Sequence, residues 1–212
     1  MFKKELLDKI RSYYDHDDPS HDWSHVIRVA NLCEKLSHGQ EVNLRVLNTS
    51  AYLHDIINIP KNSEHRSKAS ALAAQKAKSL LSEYNYTDNE VEHIAQVILE
   101  HSYSANLKAS SIESEILQDA DKLDAMGAIG VMRWASCGTK MKSKYYHLDD
   151  PWAQERTLDD KSYSLDHFEK KLLKLNDRLN TQAGKEEGMR RLAFFHAFLD
   201  QLKTEITYKR NN

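Results

Sequence analysis

The stretch DWSHVIRVANLCEKLSHG, residues 22–39, repeats its apolar residues with the period of an amphipathic α-helix. Intervals of three and four residues place these positions on one face of a helix from about 22 to 37. Gly39 ends the pattern, as glycine often does after a last helical turn. The stretch therefore predicts a helix with one buried face, whose inward residues are Val26, Val29, Ala30, Cys33 and Leu36.

The same helical period covers most of the remaining sequence. The 212 residues include only six glycines and three prolines, and this composition favours helices. We expect an all-α protein, a single-domain helical bundle over residues 1–212 with its core at about 20–138 and a C-terminal helical extension at 163–210. The other predicted helices cover residues 2–14, 42–57, 63–84, the segment from Thr87 to Ile98, 112–125, 128–137, 164–174 and 185–208.

Residues 139–162 lack this period, and we expect a long irregular segment there. The segment includes Tyr145, Tyr146 and Trp152. A connection of this length inside a compact domain is unusual and is often functional. Two interpretations remain: an irregular but packed connection, or a loop whose aromatic side chains stack a base or close over a binding site.

Composition and charge argue against several classes of function. The formal net charge is −2, so bulk electrostatics do not favour binding to a nucleic-acid polymer or a membrane surface. No apolar run approaches the roughly 20 residues of a membrane span, and the charged start lacks the apolar stretch of a signal peptide. The two cysteines form no Cys-x-x-Cys pair, which fits reduced thiols. We expect a cytoplasmic protein without membrane or nucleic-acid partners, and the sequence leaves its oligomeric state open.

Two histidines and two aspartates lie on helix faces that otherwise look buried. His25 continues the apolar stripe of the helix at 22–37. His54 does the same in the helix at 42–57, with Asp55 beside it, and Asp121 lies one turn after an apolar residue. Imidazole nitrogens and carboxylate oxygens together suit a divalent transition metal. An ion would also explain why acids face a core. The ordinary alternatives are hydrogen-bonded core histidines and solvated aspartates.

Four further residues carry chemistry that phosphoester hydrolysis needs. Cationic side chains stabilise the oxygens of a transferred phosphoryl group, and Lys61, Arg66 and Lys122 follow the candidate ligands closely. His101 ends an apolar helix and could bind phosphate or donate a proton. We assign Lys61 and His101 to catalysis, and Arg66 and Lys122 to substrate binding. The alternatives are solvated surface cations and, for His101, a helix C-terminus favoured by the helix dipole.

The order His, His-Asp, Asp on successive helices resembles the HD superfamily of metal-dependent phosphohydrolases. More closely, the chain resembles the bacterial HD proteins typified by YedJ and YpgQ. The resemblance implies an all-helical HD-type fold and the metal ligands His25, His54, Asp55 and Asp121. It covers nearly the whole chain and rests on HDWSHVIRV at 21–29, YLHDI at 52–56, HSYS at 101–104, QDADKLDAMGAIG at 118–130, DDP at 149–151 and HFEKKLL at 167–173.

The resemblance also guides the number and the kind of ion. Some relatives in the superfamily hold two ions and use extra histidines between the His-Asp pair and the last aspartate. Here His65, His93 and His101 occupy that interval. His93 lies on the charged side of its helix, and we expect a single divalent ion. Two imidazoles with two carboxylates fit manganese, iron, cobalt or nickel better than magnesium.

The expected function is a metal-dependent phosphohydrolase that uses metal-activated water on a small phosphorylated substrate, a nucleotide. The resemblance implies cleavage of a nucleoside triphosphate to monophosphate and pyrophosphate. Hydrolases of the stringent alarmone carry an acidic pair shortly after the His-Asp, where this chain reads IINIPK at 56–61. That departure argues against alarmone hydrolysis. The alternatives are a phosphodiesterase or nucleotidase, and a non-catalytic nucleotide sensor, although the intact ligand set argues against a sensor.

Overall fold

The computed structural model describes residues 4–14, 21–57, 59, 63–102 and 105–206, without the side chain of Arg66. The all-α class is confirmed, since the strand-like pairing within these ranges is an isolated bridge between Lys144 and Tyr163. None of the helices described there combines the length and the apolar character of a membrane span. The helices are α1 Lys4–Arg11, α2 Trp23–Ser37, α3 Leu44–Leu53, α4 Ala69–Leu81, α5 Asp88–Glu100, α6 Ile112–Asp124, α7 Gly127–Met141, α8 Asp166–Lys170 and α9 Gln182–Ile206, with 3-10 turns at Ser12–Tyr14, Arg66–Lys68, Leu172–Lys174 and Asn176–Arg178.

Side-chain caps explain where three of these helices begin. Asp22 precedes α2 and accepts a hydrogen bond from the backbone N–H of His25 at 3.1 Å. Asn43 accepts in the same way at the start of α3. Thr87 and Glu90 form a complete capping box at the start of α5, as the sequence predicts. These caps satisfy backbone N–H groups that the first turn of a helix leaves without partners.

The chain divides into two compact units, Met1–Lys122 and Leu123–Asn212, and α6 crosses the division. The prediction of a single domain over the whole chain stays a prediction. In the first unit α2 packs on α3, and α5 packs on both α3 and α4. The apolar stripes predicted from the sequence form this core, and its large buried side chains include Ile10, Leu36, Leu47, Leu53, Leu81, Ile94 and Ile98.

In the second unit α7 packs on α9. An aromatic cluster fills the core of this unit: the ring of Phe168 lies 5.1 Å from that of Phe195 and 5.3 Å from that of Trp134. The two helices approach closely at Gly130, where an added Cβ would lie 2.9 Å from the Phe195 ring. A side chain at this position would therefore force the helices apart or distort the core.

Three predicted helices are shorter in the structure. The helix expected at 42–57 ends at Leu53, and His54 and Asp55 lie in the turn that follows. The side chain of His54 bonds back to the carbonyl of Ala51, so the imidazole helps to end the helix that was expected to continue. The helix expected at 63–84 is regular only over Ala69–Leu81 and follows a 3-10 turn. Near 164–174 a short α8 gives way to 3-10 turns, because Lys171 leaves the helical backbone conformation.

Helix α7 is longer than the predicted 128–137. Gly138, the first residue after the predicted helix, lies inside α7, where the hydroxyl of Ser164 would collide with an added Cβ. The helix ends instead at Lys142, which adopts a left-handed backbone with φ of 56°. The irregular segment therefore starts at 142 and not at 139.

The irregular segment is held by its own hydrogen bonds. The carboxylate of Asp150 accepts from the backbone N–H groups of Gln154, Glu155 and Arg156. The guanidinium of Arg156 then donates two hydrogen bonds to Asp166, at 2.6 and 2.7 Å. This geometry is that of an irregular but packed connection, and a role in stacking a base stays a prediction.

Candidate metal centre

His25 enters the centre from the first turn of α2. The Asp22 cap fixes the backbone of this turn, and Ser24 donates to the same carboxylate at 2.6 Å. The His25 side chain is fully buried. A capped first turn is a rigid place from which to present an imidazole, because its backbone N–H groups are already satisfied.

His54 and Asp55 enter from the turn that ends α3. The Nδ1 atom of His54 lies 2.7 Å from the carbonyl oxygen of Ala51, and the ring is fully buried. A carbonyl can only accept, so Nδ1 carries the proton and the lone pair of the neutral ring is on Nε2. Backbone bonding of this kind typically orients a metal-binding histidine.

The ligand atoms of the four predicted metal residues converge. The Nε2 atoms of His25 and His54 are 3.2 Å apart. An oxygen of Asp55 lies 3.6 Å from each of these two nitrogens, and an oxygen of Asp121 lies 3.6 Å from that of His25. Donor atoms of His25, His54 and Asp121 all lie within 4.8 Å of one another, which is a group that could hold a metal ion.

His101 lies at the edge of the same group. Its Nδ1 contacts the carbonyl oxygen of Ile98 at 2.6 Å, and its Nε2 lies 3.5 Å from the second oxygen of Asp55. His54, Asp55 and His101 form a further group within 4.8 Å. Asp55 therefore presents one oxygen to the His25–His54 pair and the other oxygen to His101.

Burial and neighbouring charges set different protonation states in the centre. Burial lowers the pKa of His54 to about 4, although the charge of Asp55 opposes the shift. Burial alone would raise the pKa of Asp55, but the charge of His54 and bonds from His101 and His25 hold that pKa well below its usual value. Burial would also lower the pKa of His101, yet its contact with Asp55 raises the pKa overall. Near neutral pH, His54 is neutral and Asp55 is ionised, as metal ligands must be.

The donor set fits a first-row divalent ion. Two imidazole nitrogens and two carboxylate oxygens are a mixed nitrogen and oxygen set of intermediate hardness. Because Nδ1 of His54 is bonded to Ala51, only Nε2 can bind an ion, and the two overlapping groups share that atom. The two groups therefore describe one centre.

Two of the predicted catalytic and substrate residues cannot be placed. Lys61 lies outside the described residues, and only the backbone of Arg66 is described, in the 3-10 turn before α4. Their assignments to catalysis and to substrate binding stay predictions.

Lys122 is buried, which argues against the alternative interpretation of this residue as a solvated surface cation. Its side chain is 8% exposed, and its ammonium lies 3.1 Å from the side-chain oxygen of Gln118 and 3.9 Å from Asp119. Lys122 follows Asp121 directly on α6. Its assignment to substrate binding stays a prediction.

The sequence reasoning gave no role to His21 or Gln118. His21 is buried, its ring meets that of His25 edge-on at 5.8 Å, and its charge helps to lower the pKa of Asp55. It precedes α2, so helical periodicity could not indicate its direction. The amide of Gln118 donates to the carbonyl of Glu100 at 2.9 Å and thus ties α6 to the end of α5, beside His101. Its position one turn before Asp121 and Lys122 is the signal that could have found it.

Comparison with known proteins identifies the domain around this centre. The family model for the HD domain matches residues 22–126. The uncharacterized Bacillus subtilis protein YpgQ is 28% identical over 202 residues, which cover 93% of this chain and 90% of YpgQ.

Solved structures agree with this match. The structure of Bacillus subtilis YpgQ in complex with ADP superimposes with a TM-score of 0.74 at 26% identity, and covers 95% of this chain and 98% of its own. A Bacillus thuringiensis protein described as an HD-superfamily hydrolase superimposes with a TM-score of 0.74 at 28% identity, and covers 97% of each chain. The chain therefore contains an HD domain, at residues 22–126.

Proposed function

We propose that this protein is a metal-dependent phosphohydrolase that cleaves nucleoside triphosphates to monophosphate and pyrophosphate. The observation that carries the proposal is the convergence of His25, His54, Asp55 and Asp121, whose nearest ligand atoms are 3.2 to 3.6 Å apart. The HD domain and the neighbour described as a hydrolase support the reaction class. The ADP bound to YpgQ supports a nucleotide substrate.

The four side chains would hold one divalent ion, for which manganese is the first candidate. When bound, such an ion lowers the pKa of water towards neutrality and stabilises charge on phosphoryl oxygens. The protein contributes the neutral Nε2 of His54, the ionised Asp55 and the buried His25. The carboxylate of Asp121 is 23% exposed, so the centre has an open side from which substrate can approach.

His101 is the proposed proton donor. Contact with Asp55 raises its pKa above the ordinary histidine value, which favours the protonated form near neutral pH. A proton on Nε2 is held against the Asp55 oxygen at 3.5 Å until a phosphate oxygen competes for it. Lys61, Arg66 and Lys122 are the proposed cationic contacts of the substrate, since each can neutralise negative charge on the transferred group.

A nucleotide panel tests this proposal. The manganese-loaded protein should be incubated with deoxynucleoside and ribonucleoside triphosphates, while phosphate and pyrophosphate release are measured separately. We expect pyrophosphate. Phosphate release alone would support the nucleotidase alternative. Binding without release of either product would support the sensor alternative.

A matched pair of variants on α6 connects the reaction to the centre. Asp121→Asn should abolish hydrolysis because it removes a charged ligand. Glu115→Gln, an acid-to-amide change on the same helix outside the four ligands, should retain it. Equal activity in both variants would overturn the proposed ligand set.

A further inference from the structure

Tyr14 lies outside the HD domain match, yet it contacts the turn that carries two of the proposed ligands. It ends the 3-10 turn that follows α1, and its side chain is buried. Its hydroxyl donates a hydrogen bond to the backbone carbonyl of Tyr52 at 2.9 Å. Tyr52 precedes His54 by two residues in the last turn of α3.

This bond gives the Tyr52 carbonyl, near the end of α3, a donor from outside the helix. The last carbonyls of any helix need partners from outside the helix ladder. At α3 the carbonyl of Ala51 pairs with the His54 ring, and that of Leu53 accepts from the N–H of Ile56. Both of these partners come from the turn itself. The bond from Tyr14 to the Tyr52 carbonyl comes from a distant segment and anchors the turn to the N-terminal helix.

The ring of Tyr14 also contacts the start of α2. It lies 5.8 Å from the ring of Trp23, and Trp23 stacks on Tyr52 at 5.8 Å with 30° between the ring planes. Trp23 is the first residue of α2 and precedes His25 by two residues. Burial and the charge of Asp55 raise the pKa of the Tyr14 hydroxyl well above its ordinary value, and the Asp55 backbone opposes this by hydrogen bonding. Tyr14 is thus adjacent to two of the three segments that supply the proposed ligands.

We infer that Tyr14 is a positioning residue of the metal centre, and that its hydroxyl fixes the turn that presents His54 and Asp55. The inference rests on the proposed metal binding at these residues. It adds a residue of the N-terminal segment to those that support the metal centre, outside the HD domain match at residues 22–126. Hydrogen bonds in the outer shell of a metal centre typically contribute to its metal affinity.

Tyr14→Phe tests the inference because it removes one oxygen atom and keeps the ring. The control is Tyr86→Phe, since the Tyr86 hydroxyl also contacts α3 but does so at the Thr49 side chain, 3.0 Å away and more than one turn before the ligands. Mn²⁺ affinity should be measured by isothermal titration calorimetry at a temperature where circular dichroism shows both variants folded. We expect Tyr14→Phe to weaken Mn²⁺ binding by about 10-fold or more, and Tyr86→Phe to bind like the unmodified protein.

Two further readouts separate positioning from general destabilisation. The visible absorption spectrum of the Co²⁺-loaded protein should change in Tyr14→Phe and not in Tyr86→Phe, because it reports ligand geometry. In the metal-free protein, hydrogen exchange should accelerate at the turn around His54 in Tyr14→Phe. If Tyr14→Phe does not fold, 4-fluorophenylalanine at position 14 replaces it, because fluorine fills the place of the hydroxyl but cannot donate a hydrogen bond, and Mn²⁺ binding should again weaken.

The outcomes distinguish this inference from the proposed function. If the unmodified protein binds Mn²⁺ and the tested variant binds it equally well with the same Co²⁺ spectrum, the inference is wrong and the metal centre stands. If the unmodified protein binds no Mn²⁺, the proposed centre is wrong and the inference falls with it.

Discussion

Breaking the ion pair between Arg156 and Asp166 should destabilise the second unit. The Asp166 side chain is 1% exposed and accepts two hydrogen bonds from Arg156, at 2.6 and 2.7 Å, and one from the backbone N–H of Asp159 at 2.6 Å. Asp166→Asn keeps the shape of the side chain and removes its charge. The mostly buried Arg156 guanidinium then loses the carboxylate that it hydrogen-bonds, and the weaker influence of the Asp150 charge remains.

The expected cost follows from this geometry. Removing one partner of a buried ion pair typically costs 3–5 kcal/mol, because the remaining charge is uncompensated. The Arg156 side chain is 17% exposed and gains partial solvation, so the lower end, about 3 kcal/mol, is expected. At about 2–4 °C per kcal/mol for a chain of this size, the melting temperature should fall by roughly 6–12 °C.

Thermal melting followed by circular dichroism at pH 7 measures this effect. The matched control is Asp149→Asn, the same change at an exposed position of the irregular segment that contains Arg156. Mn²⁺ binding should persist in both variants, because the proposed ligands all lie in the first unit. A fall in melting temperature no larger than that of Asp149→Asn would refute the account of this segment as a packed connection.

The same pair gives a pH dependence with a defined sign. Burial would raise the pKa of Asp166, but the bonds from Arg156 and from the Asp159 N–H lower it overall. A carboxyl whose pKa is lowered by folding contributes stability that is complete above its unfolded pKa, about 3.9, and is lost as the pH falls towards its folded pKa. The difference in melting temperature between the unmodified protein and Asp166→Asn should therefore persist from pH 7 to pH 5 and shrink below about pH 4.

Two other predictions concern the centre and the helix packing. Asp121→Ala should lose both bound metal and hydrolysis, whereas Lys61→Ala should keep the metal and bind the substrate phosphates less well. Metal analysis and kinetics on the same samples check this. Loss of metal from Lys61→Ala would show that the assignment of roles is wrong. Gly130→Ala should destabilise the fold by about 1–3 kcal/mol through crowding against Phe195; urea denaturation should show this loss, while Met132→Ala, on the exposed face of the same helix, should show little.

Local signals made most of the helices predictable from the sequence. The start of α5 was predictable from the capping box at Thr87 and Glu90, and the start of α2 from the apolar stripe after Asp22. In both cases a few neighbouring residues satisfy the first N–H groups of the helix. The predicted end of α3 was wrong because the side chain of His54 bonds to the backbone carbonyl of Ala51 there. That bond depends on three-dimensional packing and has no periodic signature.

The proposed ligands of the candidate centre were more predictable from the sequence than the residues that hold them in place. His25, His54 and Asp121 follow apolar stripes, and the family resemblance joined them in one set. Tyr14 and Gln118 act through bonds to backbone carbonyls of distant segments, and such bonds have no fixed spacing in the sequence. The burial of Lys122 was missed for a different reason, since neither Lys122 nor its partner Gln118 is apolar and the apolar stripe of the helix therefore does not include them.

Metal content is the most direct test of the central claim that His25, His54, Asp55 and Asp121 hold one ion. The protein should be loaded with Mn²⁺, desalted and analysed by inductively coupled plasma mass spectrometry beside His54→Ala and the control His93→Ala, a partly exposed histidine that contacts Glu113 away from the centre. The account predicts one manganese ion per chain in the unmodified protein and in His93→Ala, and none in His54→Ala. Equal manganese content in His54→Ala and the unmodified protein would contradict it.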